Sequence, residues 1–303
     1  MEELTIGVPD GRSLTAYDAG DPDGLPILFH HGTPASGRPL EQHVRLARQQ
    51  GLRLLSYDRA GYGDSTRNAE RTVADVVQDV EAIVDALGIG RFATWGLSGG
   101  GPHALATAAA LPDRVVAVAT AASIAPPDRP ELDLTEGMGE GNVVEFGLAQ
   151  QGEEALRPAL ERDVADLCEL DVPGFVEAMR PFLSDLDAAA LDSELGAFLL
   201  DGFRRSLARS VDGWVDDDLA FIQPWNFELE SIRVPILVVQ GRQDLMVPWA
   251  HGEWLAHNLP SAEAWLREDE GHLTLLVSVV PHIHEWLLAR FAGRSAPVRG
   301  SAA

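Results

Sequence analysis

The chain has 303 residues, 46% of them hydrophobic, and a formal charge of −24. That length suits one large domain with an insertion or two smaller ones, and the acidity argues against nucleic acid and anionic membrane surfaces, both of which need basic patches. All 23 basic residues are arginine, so there is no amine for a Schiff base and no lysine for a Walker phosphate loop.

The beginning, "MEELTIGVPDGRSL", carries acids where a signal peptide carries bases. No segment reaches the roughly 18 apolar residues of a membrane span, and Cys168 has no cysteine partner for a disulfide or a C-x-x-C motif. A cytoplasmic protein is expected. Residues 4–20 read as two alternating strands around Asp10-Gly11, a pair suited to a tight turn. "LPILFHHG" (25–32) and "LRLLSYD" (52–58) read as strands on either side of a helix over 40–51, and a strongly periodic helix is predicted over 73–88. "RFATWGLS" (91–98) predicts a strand, "PHALATAAALP" a helix, and "VVAVATAAS" (115–123) another strand. Such alternation argues for parallel strands joined by helical crossovers, with both sheet faces covered.

From about Pro126 to Ile232 the strand signals stop, and 25 acids stand against 7 arginines. Residues 163–179 and 195–211 are the clearest amphipathic helices of this insertion. The alternation returns with "VPILVVQGRQD" (234–244), a helix around 249–259, the strand "AEAWLRE" (262–268) and a last helix over 273–291 that Pro281 should bend. The expected organisation is an α/β core from residues 1–126 and 232–292, a helical cap over 127–231 and a flexible tail over 293–303.

"WGLSGGGPHA" (95–104) sets Ser98 in a G-x-S-x-G pattern between a predicted strand and a predicted helix, the context of a nucleophile elbow. Small neighbours at Gly96 and Gly100 would let strand and helix approach, and the helix start offers free N–H groups. A glycine-rich helix start around an ordinary serine, or a phosphate cradle, is the competing reading; the third glycine of a dinucleotide fingerprint is missing. A serine hydroxyl needs a base, and the base needs an orienting carboxylate. His272 follows the last predicted strand, and Asp244 closes the preceding one, at the strand ends where α/β sites assemble. The competing reading has Asp244 capping the next helix and His272 capping "LTLLVS"; Asp128, beyond the strand 115–123, is the rival acid. The N–H of Gly99 and, from the loop "HHGTPASG" (30–37), that of Thr33 are the candidate oxyanion donors. His30 and His31 read as loop-packing residues, and no third ligand at a recognisable spacing suggests zinc.

"HHGTP", "YDRAGYGDS", "GLSGGG", "GRQDLMVP" and "EGH" occur in the order in which the α/β-hydrolase superfamily carries its landmarks, and over residues 1–126 and 232–292 the chain resembles that family. The resemblance implies an α/β-hydrolase fold, Ser98 as nucleophile, His272 as general base and acid, Asp244 as orienting carboxylate, and Thr33 and Gly99 as oxyanion donors. It implies that Asp58 and Arg59 hold backbone geometry, and a serine at the elbow points away from relatives with an aspartate nucleophile. The expected activity is hydrolysis of a small-molecule ester or related acyl bond, with no cofactor and no metal; Trp214, Phe221, Trp225 and Phe227 are candidates for an apolar slot or for cap packing. An iminopeptidase-like aminopeptidase with cap carboxylates on a substrate ammonium, and a non-catalytic ligand-binding protein of the same fold, remain open. So does a homo-oligomer.

Overall fold

The computed structural model describes residues 1–191 and 193–293. Its sheet starts from a hairpin: β1 (Glu2–Gly7) and β2 (Ser13–Gly20) pair antiparallel across the Asp10-Gly11 turn. Gly11 sits there at φ 94°, a conformation that any side chain would strain. β2 then pairs antiparallel with β4 (Leu52–Tyr57). From β4 onward every pairing is parallel, through β3 (Leu25–His30), β5 (Phe92–Leu97), β6 (Val115–Ala121), β7 (Ile236–Gly241) and β8 (Glu263–Arg267). The spatial order is β1-β2-β4-β3-β5-β6-β7-β8, so the chain has the α/β sheet expected from its strand and helix rhythm, in the α/β-hydrolase architecture that the resemblance of its motifs implies.

The helices α1 (Glu41–Gln49), α2 (Val76–Ala86) and α3 (Gly100–Ala110) follow β3, β4 and β5 in turn. Successive strand residues point to opposite faces, and both faces are apolar here. Leu28, Val118 and Val238 join one core with α2 and α3, whereas Ile27, Ala119 and Leu237 join the other with α1. Burial on both faces explains why the central strands read as unbroken apolar runs.

Between β6 and β7 lie α4 (Glu140–Ala149), α5 (Glu153–Cys168), α6 (Val172–Met179), α7 (Asp185–Ala190), α8 (Ser193–Ser206) and α9 (Asp212–Phe221). The stretch 163–179, predicted as one helix, divides in two. Asp171 accepts a hydrogen bond from Gly174 N at 2.9 Å and starts α6 afresh, with Pro173 in the first turn, where its missing donor costs little. These helices have a small core of their own, in which Leu156, Leu160, Phe203 and Trp214 surround Tyr62 from the loop after β4.

After β7 come α10 (Trp249–Asn258), then, beyond β8, α11 (His272–Ser278) and α12 (Val280–Gly293). The expected bend at Pro281 is a full break at Val279, with the proline inside the first turn of α12. Of the expected tail over 293–303, residues 294–303 lie outside the described residues. No helix among the described residues is long and apolar enough to cross a membrane.

Candidate active site

Ser98 stands between the end of β5 and the start of α3 with φ 53°, a left-handed conformation that costs a side-chain-bearing residue about 1–2 kcal/mol. The surroundings enforce it. Ser98 N–H donates to Ala121 O of β6 at 2.8 Å, and Ser98 O accepts from Gly101 N at 2.9 Å. A methyl group on Gly96 would overlap the Gly100 backbone, and one on Gly100 would overlap the carbonyl of His30. The glycines are therefore there for close approach: they let α3 spring directly off the strand ends and leave the serine side chain at the sharpest point of the turn.

His272 is the first residue of α11 and is 4% exposed. Its Nδ1 lies 2.8 Å from Asp244 Oδ2. The other oxygen, Asp244 Oδ1, accepts from Met246 N and Val247 N, both at 2.8 Å. Asp244 does not cap the next helix, α10, which starts at Trp249 behind Pro248; one of its oxygens instead closes the turn after β7, and that bond aims the second at the imidazole. A carboxylate only accepts, so Nδ1 carries the proton and Nε2 is left with the lone pair that a general base needs. Burial opposes a charge on the ring, but the Asp244 charge and hydrogen bond outweigh it and lift the His272 pKa above the ordinary histidine value. The rival, Asp128, is half exposed and faces Arg129 Nε at 3.4 Å.

Ser98, His272, Thr33 and Gly99 all line one cavity of about 770 Å³. Gly32 brings the loop after β3 against the elbow: a methyl group there would touch Ser98 Cβ at 3.4 Å. Among the described residues neither Thr33 N–H nor Gly99 N–H has an acceptor within the fold. The loop is held from behind by Arg59, which is 1% exposed. Arg59 N–H donates to His31 Nε2 at 3.0 Å, and its guanidinium donates to the carbonyls of His31 and Gly32, to Thr33 Oγ1, and to Asp217 Oδ2 at 2.6 Å. His30 is bonded to Tyr57 OH at 3.0 Å, and burial first, then neighbouring positive charge, holds both His30 and His31 well below the ordinary pKa. They are neutral packing residues, as the sequence suggested. Among the described residues no group of three or more His, Cys, Asp or Glu is arranged to hold a metal ion.

A family model described as the alpha/beta hydrolase fold matches residues 26–279. The chain belongs to the alpha/beta hydrolase family. Within it, the chain is 28% identical to a non-heme chloroperoxidase from Streptomyces lividans, over 92% of this chain and 95% of that protein. It is 28% identical to a bifunctional esterase/perhydrolase from Acinetobacter calcoaceticus, over 80% and 83%. A proline iminopeptidase from Neisseria meningitidis serogroup B is 25% identical over 81% and 82%.

Several site residues of this hydrolase fold escaped the sequence reading, and all are acids of the insertion. Asp217 of α9 is fully buried and accepts from Thr33 Oγ1 at 2.6 Å, Arg71 at 2.6 Å and Tyr62 OH at 2.8 Å in addition to Arg59. Asp187 of α7, also fully buried, accepts from the backbone at the start of α11. Glu145 and Asp218 face the cavity together, with Trp214 Nε1 donating to Glu145 Oε1 at 2.7 Å. Consecutive acids at 216–218 are the one signal, and it does not say which of them points inward. Of the four aromatic candidates, Trp214 and Phe221 line the cavity, whereas Trp225 and Phe227 stack on each other at 6.0 Å and belong to the core beneath.

Proposed function

We propose that this chain is a serine hydrolase that cleaves a small-molecule ester or related acyl bond through an acyl-enzyme, with Ser98, His272 and Asp244 as its catalytic triad. The observation that carries the reading is the 2.8 Å bond from His272 Nδ1 to Asp244, made at the wall of the same cavity that Ser98 enters. In the first step Ser98 Oγ bonds to the acyl carbon while its proton passes to His272 Nε2. The oxyanion formed on the carbonyl oxygen is met by Thr33 N–H and Gly99 N–H, each worth about 10²- to 10³-fold in rate. The bond to the alcohol then breaks, and His272 returns the proton to the departing oxygen. Water repeats the path in reverse, with its proton going to His272 and then to Ser98 Oγ as the acid leaves. Residues 127–231 act as a cap whose Trp214 and Phe221 give the cavity an apolar wall. The chemistry calls for no cofactor or metal, and the protein acts in the cytoplasm on small molecules. The esterase activity in the name of the Acinetobacter relative supports this choice of reaction.

A second reading has its own observation. Burial first, then the charge of Glu145, push Asp218 well above the ordinary carboxyl pKa, and burial raises Glu145. Two acids side by side in a largely apolar cavity suit a substrate ammonium and hence an iminopeptidase-like aminopeptidase with the same triad. A panel of p-nitrophenyl esters of increasing chain length, run beside aminoacyl anilides, separates the two. Ester turnover that vanishes in Ser98→Ala supports the esterase. Anilide turnover whose KM rises in Glu145→Gln supports the peptidase. A wild-type protein that an organophosphonate does not label at Ser98 is a binding protein on a hydrolase fold.

A further inference from the structure

The first N–H groups of a helix have no partner inside it and are satisfied from outside. At α11 the partner is remote: it comes from the insertion, across 85 residues of chain. Asp187 Oδ2 accepts from His272 N at 2.8 Å, and Asp187 Oδ1 accepts from Leu273 N at 2.7 Å and Thr274 N at 3.1 Å. The carboxylate is held in turn by Ser184 Oγ at 3.1 Å. Gly271 makes room for it, because a methyl group on that residue would fall on the Asp187 carboxyl. On the other side the same loop is tied to the end of β7, where Gln243 N donates to Glu270 O at 2.9 Å.

His272 is therefore gripped twice, at the ring by Asp244 and at the backbone by Asp187. The ring grip alone leaves the imidazole free to pivot about the Nδ1–Oδ2 line. Where Nε2 ends up relative to Ser98 depends on where the backbone of residue 272 stands. We propose that Asp187 is a positioning residue for His272: its carboxylate clamps the N–H groups of residues 272–274 and makes the reach of the imidazole toward Ser98 depend on α7 being docked. The inference rests on the triad reading above. It adds that the cap supplies part of the catalytic geometry as well as the walls of the pocket.

The charged groups that face the His272 ring are Asp244, from the loop after β7, and Asp187, from α7. Both stabilise the protonated ring, so neutralising Asp187 lowers the pH at which His272 becomes a base. The test is Asp187→Asn, which keeps the shape but offers one acceptor oxygen and an NH₂ group that clashes with donors. The control is Asp185→Asn, which removes an exposed acid from the same turn of α7. Rates of ester hydrolysis and of Ser98 phosphonylation are measured against pH.

In Asp187→Asn, kcat is expected to fall about 10- to 100-fold, the size of an ångström-scale misplacement, with KM within twofold. The acid limb of both profiles is expected to move to lower pH. Asp185→Asn should match wild type in rate and in limb. If Asp187→Asn does not fold, Gly271→Ala displaces the same carboxylate without neutralising it and should give the same kind of kcat loss, with a smaller shift of the limb. A folded Asp187→Asn with wild-type kcat and limb, even at a lower melting temperature, overturns the proposal, as does a wild-type profile in Gly271→Ala. Wild-type protein that is not phosphonylated at Ser98 fails the triad reading itself, a separate outcome.

Discussion

Replacing Asp217 by asparagine strikes a buried carboxylate that accepts five hydrogen bonds. The side chain is fully buried, and so, to within a few per cent, are its partners Arg59 and Arg71, at 2.6 Å each. Burial disfavours the carboxylate, yet Arg59 and Arg71 and then His103 hold its pKa well below the usual carboxylate range. The variant leaves two buried guanidinium groups without their countercharge, and the hydroxyls of Tyr62 and Thr33 exchange a strong acceptor for a weak one. Breaking a buried pair in this way costs about 3–5 kcal/mol, a fifth or more of a typical total of about 5–15 kcal/mol. At about 2–4 °C per kcal/mol for a domain of this size, the melting temperature should drop by about 6–20 °C. Urea unfolding followed by tryptophan fluorescence measures the loss directly. The pH dependence carries the same signature. A carboxyl whose folded pKa is depressed contributes stability that is complete above its unfolded value of about 3.9 and is lost as pH falls through the folded value. Wild type should therefore lose stability below about pH 4 more steeply than Asp217→Asn. The Arg59→Met/Asp217→Asn double variant should lose less than the sum of the single losses, with a coupling of about 0.5–3 kcal/mol. A single variant within about 1 kcal/mol of wild type, with an unchanged acid slope, would refute the claim that this network is desolvated and binds α9 to the loop after β3.

Asp244→Asn should fold normally and lose about 10⁴-fold in kcat, because an amide NH₂ opposite Nδ1 favours the wrong tautomer; Asp128→Asn should keep its rate, and circular dichroism with ester kinetics checks both. The acid limb of kcat/KM should fall above about pH 6.5, the ordinary histidine value, because His272 must be neutral to take the serine proton and Asp244 raises its pKa against the pull of burial. Gly96→Ala should cost about 1–3 kcal/mol or more, since its methyl would overlap the Gly100 backbone, and thermal melting should show the loss alongside a drop in kcat.

The α/β core was legible because its signals are local. Unbroken apolar runs mark strands buried on both faces, a period of 3.6 marks α2, and Asp10-Gly11 marks a turn that only a small set of residues can make. The elbow was legible for the same reason: Gly96, Ser98 and Gly100 lie within five residues, and their spacing encodes a backbone shape. Asp244 and His272 could be named because each closes or follows a strand, and parallel strands deliver their ends to one edge of the sheet. What sequence could not show is which acids of the insertion turn inward. Asp187 and Asp217 sit among 25 acids in that segment, and a carboxylate that clamps a helix start 85 residues away has the same local pattern as one that faces solvent. Helix boundaries failed in the same way. The break at Val279 and the restart at Asp171 each turn on one proline and its neighbour, where a bend and a break look alike in sequence.

The contacts of the insertion fall into two groups, and the division bears on how the site works. α7 brings Asp187 to the backbone of His272, and α9 brings Asp217 to Thr33 and Phe221 to Gly99, where a methyl group would meet the phenyl ring at 2.9 Å. Each arm of the proposed machinery, base and oxyanion loop alike, is therefore backed by an inserted helix that cannot leave without exposing buried charge. Exposed residues of the lining lie on other elements too, among them Glu140 and Val144 on α4, Arg162, Asp163 and Asp166 on α5, Asp201 and Arg205 on α8, and Pro181 just before α7. On the proposed reading, the insertion can vary these exposed positions to select substrates and keep its two anchors, α7 and α9, to hold the chemistry in place.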